Sequence, residues 1–316
     1  ASAGTSNFRA GVNAGNSIVS GGNHNTVVGD EAGTALTTGD ANVAMGFQAL
    51  ATEDANGTNT AIGYQSLKTL NAGADGNNTA VGYIAGVFLT TGVNNTLIGS
   101  LAGDALTEGG NNTALGFQAL SADTLGSRNT AIGYNTLLVQ NFTSATNSYN
   151  VAMGHDAGRA ITTGVSNTLI GAAAGDALTD ADYNVAIGKE ALTSDTLGSR
   201  SIAIGQHALQ VQNFTSATNT YNVAVGYDAG VSVTTGVQSV YIGGLAGDAD
   251  TTGGKNVYVG YSAGTANAGD QNVFIGRNAG GAITDGDKNT IIGTYDGNEG
   301  GLDIRTSDNN IVLSDG

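Results

Sequence analysis

One five-residue pattern returns along most of the chain. It runs Asn, a β-branched residue, an apolar residue, a large aliphatic residue and Gly, as in Asn59-Thr60-Ala61-Ile62-Gly63, Asn129-Thr130-Ala131-Ile132-Gly133 and Asn184-Val185-Ala186-Ile187-Gly188. It begins at residues 25, 42, 59, 78, 95, 112, 129, 150, 167, 184, 201, 222, 239, 256, 272 and 289, with 17 the commonest spacing and Ser201 and Ser239 replacing the Asn. A short period held this long predicts a solenoid in which each copy is one coil. Second-position residues such as Thr60, Val43 and Ile202 favour a pleated strand over a helix. The expected fold is therefore all-β: a parallel β-roll or β-solenoid of about 16 coils.

Strand alternation assigns the positions to faces. The second and fourth positions, always β-branched and always large, are expected to stack inward, with Ile62, Ile132 and Ile187 in that ladder. The third position then points outward. It too is apolar throughout, from Ala44 and Leu97 to Tyr241, Tyr258 and Phe274. A strand apolar on both sides is covered on both sides, so the third position is expected to pack on another copy of the chain. Gly63, Gly133, Gly188 and their equivalents are expected at a tight corner, and Asn59, Asn129 and Asn184 as caps and stacked amides.

A second period overlies the first. Starts at 78, 150 and 222 are 72 apart, four coils each, and each block ends in a lengthened coil carrying VQNFTSATNSY (139–149) or VQNFTSATNTY (211–221). Residues 1–24 read as an N-terminal cap, 25–296 as the repeat domain and 297–316 as an exit segment toward a further C-terminal domain.

Composition narrows the function. Of 316 residues 51 are Gly, with no Pro, Cys or Trp, and only 11% are charged. High Gly with a patterned apolar content of 40% reads as repeated architecture rather than a disordered linker. A net charge of −16 argues against nucleic acid and anionic membrane surfaces. No apolar run is long enough to span a bilayer, and without Cys there are no disulfides or thiolate metal sites.

Catalytic candidates are few. His24, His155 and His207 lack metal-ligand spacing. Asp104, Asp176 and Asp248 recur 72 apart in AGDA segments. They read as turn residues capping their own backbone rather than as an acid pair for glycan cleavage, because they follow the repeat instead of breaking it. Thr pairs such as Thr90/Thr91 recur mainly every fourth coil, too sparsely for an ice-binding face. The insertions are the better binding candidates. Phe142 with Thr143, and Phe214 with Thr215, form either a stacking platform for a host glycan or an aromatic folded back over the coil edge. No catalytic residue, metal or cofactor is expected.

The NTAIG and NVAMG strands resemble the repeats of trimeric autotransporter adhesin heads, which form a parallel β-roll that trimerises along its strand face. The longer pattern, and GLDIRTSDNNIVLSDG at 301–316, is similar to tail-fibre or tailspike proteins of marine bacteriophages, where such a segment precedes a self-cleaving chaperone domain. The resemblance covers about residues 16–316. It implies a homotrimeric, non-enzymatic shaft or head of a tail fibre or surface adhesin, located on a virion or cell surface. Its partners would be its own copies and a host glycan or protein receptor. A self-assembling extracellular filament and a glycan depolymerase spike are the alternatives.

Overall fold

The computed structural model describes residues 4–266 and 269–314. Among them there is no helix, and every strand is two or three residues long. The chain falls into two compact units, Ala1–Thr163 and Gly164–Gly316. Each is a parallel β-solenoid with nine stacked strands in one sheet. In the first unit the stack runs from Phe8–Ala10 through Thr26–Val28, Val43–Met45 and Thr60–Ile62 to Thr130–Ile132 and Val151–Met153. In the second it runs from Thr168–Ile170 through Val185–Ile187 and Val240–Ile242 to Thr290–Ile292 and Ile311–Leu313. Within each unit the paired strands keep one register: Val43, Ala44 and Met45 lie opposite Thr60, Ala61 and Ile62, and Val185, Ala186 and Ile187 opposite Ile202, Ala203 and Ile204. Each side chain therefore stacks on its own equivalent one coil away.

Which face lies inside is the reverse of the expectation. The third position is inward and fully buried in every coil from Val27 to Ile291. The second and fourth positions face out and are only half-buried or exposed, Ile62, Ile132 and Ile187 included. The reason is space. A 17-residue coil has a narrow interior, so the inward strand residue is most often Ala and the large aliphatics are left outside.

Volume in that interior is shared between the third and ninth positions. Where the ninth is a buried Leu (Leu50, Leu67, Leu120, Leu137, Leu192, Leu209), the third is Ala. Where the third is large, the ninth is Gly. A Cβ on Gly103 would lie 2.8 Å from Leu97 Cδ2, and one on Gly247 only 2.3 Å from the Tyr241 ring. Each buried Leu contributes roughly 1.5–3 kcal/mol, and packing this close leaves no slack for a second large side chain.

The motif Asn ties coil to coil. Asn59 accepts on Oδ1 from the Asn78 backbone N–H (3.1 Å), Asn129 from that of Asn150 (3.2 Å) and Asn184 from that of Ser201 (2.8 Å). All three are fully buried or within 1% of it, and unpaired amides there would be costly.

Both ends carry the same pattern further. In the segment 1–24, Asn7 accepts from the Asn25 N–H (2.8 Å), and Phe8–Ala10 pairs with Thr26–Val28. In the segment 297–316, an antiparallel hairpin of Asn298–Glu299 with Leu302–Asp303 comes first. Asn310 then donates to Asn289 (2.9 Å) and Ile311–Leu313 adds one more strand.

Candidate functional site

Two surfaces stand out. The first is the outer strand face. Thr, Val or Ile at the second position and Ile, Val, Leu or Met at the fourth make a β-branched and aliphatic stripe along each unit, with Met45, Leu115, Met153, Ile242, Ile275 and Ile292 about 40% exposed. Just past the corner Gly, aromatic side chains stack into ladders. Phe47, Tyr64 and Tyr83 have ring centroids 5.4 Å apart, and Phe117, Tyr134 and His155 follow at 5.4 and 5.1 Å. These rings stack on one another and remain about half exposed. Large apolar patches of this kind mark interaction surfaces.

The second surface is the corner built by each insertion. Phe142 and Phe214 are only 5% and 8% exposed, which removes them as stacking platforms: the rings fold back and anchor the insertion. Thr143 and Thr215 beside them are exposed. The anchor is reinforced by Thr196, whose hydroxyl donates to Asn213 Oδ1 (3.1 Å) and the Phe214 carbonyl (2.9 Å). Beyond it, Thr218–Asn219 pairs in parallel with Gly198–Ser199, as Thr146–Asn147 does with Gly126–Ser127. That pairing brings the tyrosine at the end of the insertion over an arginine of the preceding coil. The Arg200 guanidinium lies 4.8 Å from the Tyr183 ring centroid and 6.0 Å from that of Tyr221, with Nε donating to Asn219 Oδ1 (3.0 Å). Arg128 lies 5.5 Å from the Tyr149 ring and donates to its hydroxyl (3.0 Å).

The remaining candidates are structural or solitary. Asp104 accepts from the Ser121 hydroxyl (2.6 Å) and Asp176 from that of Thr193, each one coil on. Burial pushes Asp248 above the usual carboxylate range, and one of its oxygens is buried without a partner. His207 sits between Asp228 (2.9 Å) and Glu190 (3.6 Å), and His155 lies 3.2 Å from Asp156. His24 is a corner residue at φ +58°. Among the described residues no group of three or more His, Cys, Asp or Glu is placed to hold a metal ion, and no helix is long and apolar enough to cross a membrane.

Sequence reasoning missed the buried acids. Asp195 accepts from Gln212 Nε2 (2.5 Å) and the Gly198 N–H (3.0 Å), and Gln212 in turn accepts from Asn222 (2.8 Å). Asp123, Gln140 and Asn150 repeat the arrangement. Burial raises both aspartates against the lowering effect of these hydrogen bonds. The signal was present: DTLG recurs at 123–126 and 195–198, with Gln 17 residues after each Asp. A depression of about 360 Å³ is lined by Tyr261, Ser262, Arg277, Asn278, Thr294 and Glu299.

No protein-family model, curated protein or solved structure matches the chain.

Proposed function

We propose that the chain is a non-catalytic structural segment of an attachment fibre, a phage tail fibre or a surface adhesin, assembled as a homotrimer through its outer strand faces. The observation that carries this reading is the stripe of β-branched second and large aliphatic fourth positions, which its own unit leaves half-buried or exposed. The stripe repeats from coil to coil in fixed register, so identical copies aligned in parallel meet it with identical residues. Fixed spacing and uniform packing suit a rigid spacer. The acidic surface limits non-specific adhesion, and the resemblance of the repeats to adhesin heads and tail fibres supplies the copy number and the setting.

The solution mass tests it. Sedimentation should give a species near three times 31.2 kDa. Met45→Lys combined with Leu115→Lys, both on the outer face, should release monomers that keep their β spectrum. A monomeric unmodified chain overturns the trimer, and polymers that lengthen with concentration favour the filament.

A further inference from the structure

The insertion corners hold an arrangement that the shaft does not need. Only ten residues of this acidic chain are Lys or Arg. Two of them, Arg128 and Arg200, stand 72 residues apart in the same place, the exposed residue before the motif Asn or Ser. Neither forms an ion pair among the described residues. Tyr149, Tyr183 and Tyr221 beside them are each about half exposed. At Arg200 the guanidinium is held by a ring on either side and by Asn219, which fixes its plane while Nε is occupied. The side chain is thereby pre-ordered, and its terminal nitrogens match the fork of a carboxylate or sulfate. Tyrosine adds a flat apolar surface at low entropic cost.

We propose that the Arg200 clamp, with a reduced copy at Arg128, binds an acidic glycan: the open edge of the guanidinium takes a carboxylate or sulfate group and the exposed parts of Tyr183 and Tyr221 border the sugar ring. The buried Phe214 and the strand pair after it serve to place Tyr221 and Asn219. This gives the attachment reading a ligand class but stands on a different observation. A trimer that binds no glycan and a monomer that binds one are both distinguishable outcomes.

The unmodified full chain is titrated with polyuronate oligosaccharides, heparin-derived sulfated oligosaccharides and a neutral glucan of equal length, with solution mass measured alongside. Binding of one acidic probe and not of the neutral one is expected, the two acidic arms deciding between carboxylate and sulfate. Arg200→Ala should weaken it at least tenfold, Tyr221→Ala and Arg200→Lys severalfold, with mass and β spectrum unchanged. Rising salt should change affinity little, because the contact is local and the surrounding charge repels the ligand. No binding of either acidic probe overturns the proposal. So does binding that survives Arg200→Ala together with Arg128→Ala.

Discussion

Gly63 shows how little room one atom has at a coil corner. It adopts φ +134°, and a Cβ there would lie 2.2 Å from the Gly82 carbonyl oxygen of the next coil. That neighbour is backbone in a fixed ladder and cannot swing aside. Gly63→Ala is expected to cost about 2–5 kcal/mol, from backbone strain and overpacking together. Gly73, at φ +70° with nothing within 4 Å of its Cβ, carries a milder backbone demand and no clash. Gly73→Ala should cost about 1 kcal/mol, and equal losses for the two variants in urea melts would rule out the clash. Asp250 makes a second prediction at this scale. It accepts from the Tyr241 hydroxyl (2.8 Å), Asn256 (3.1 Å) and the Gly253 N–H (2.9 Å). Burial outweighs these bonds and pushes it up to about 6, against 3.8 for an ordinary aspartate. Between those values the unfolded chain is ionised while the folded one keeps its proton, so stability falls as pH rises through this window. The loss is complete above about pH 6, at roughly 3 kcal/mol for a shift of about two units. Buried Glu53, Asp123 and Asp195 shift in the same direction, so the comparison must be with Asp250→Asn. That variant should show a smaller decline in urea midpoint from pH 4 to pH 7, and identical declines would refute the assignment.

At the level of the strand, the 17-residue coil, the parallel register and the Gly corner were legible in the sequence, because each follows from a repeated spacing. The direction of the side chains was not. Alternation fixes which positions share a face but not which face is inside, and size pointed the wrong way, since large Ile62 faces out and small Ala61 faces in. The distinguishing signal was correlation. Large third positions (Leu97, Leu169, Tyr241, Tyr258, Phe274) occur with Gly at the ninth, and ninth-position Leu occurs with Ala at the third. Only residues sharing one cavity compensate in this way. The candidate site was legible in the same partial sense: the insertions were identifiable from sequence, but the meeting of the half-exposed tyrosine with the exposed arginine depends on a strand pairing that no local pattern announces. Compensation also predicts a rescue. Leu97→Ala should cost about 2–5 kcal/mol by leaving a cavity. Gly103→Leu alone should destabilise by overpacking, its Cβ already 2.8 Å from Leu97 Cδ2. The double variant reproduces the set Ala61, Leu67 and Leu70 of another coil, and should be at least about 1 kcal/mol more stable than the sum of the single changes. Additive losses would mean that the two positions do not share a cavity.

Across the whole chain the 72-residue period makes a block of four coils the natural unit of length. Residues 129–149 and 201–221 are both lengthened coils ending in the same insertion. The first is followed in register by Val151–Met153 and the second by Val223–Val225. Deleting residues 150–221 therefore joins Tyr149 to Asn222, a junction that differs from the native Tyr221–Asn222 within the insertion only at Ser148 in place of Thr220. Val223 then meets Thr130 where Val151 stood, and the new junction still offers the next coil the Asn129 amide oxygen and a three-residue strand edge. In a solenoid stability is close to a sum of coil and interface terms, so removing four coils whole should leave every remaining interface of a kind already present. The shortened chain is expected to fold with an unchanged β spectrum, to melt within a few degrees of the parent, and to keep the same number of copies in its assembly. It should also keep one insertion corner, now formed by Arg128 and Tyr149, and with it a weakened affinity for the acidic glycan. If the deletion instead yields an aggregated or unfolded chain, the coils are not interchangeable. The 72-residue period would then mark a cooperative unit whose interior acids and insertions must be matched to particular neighbours.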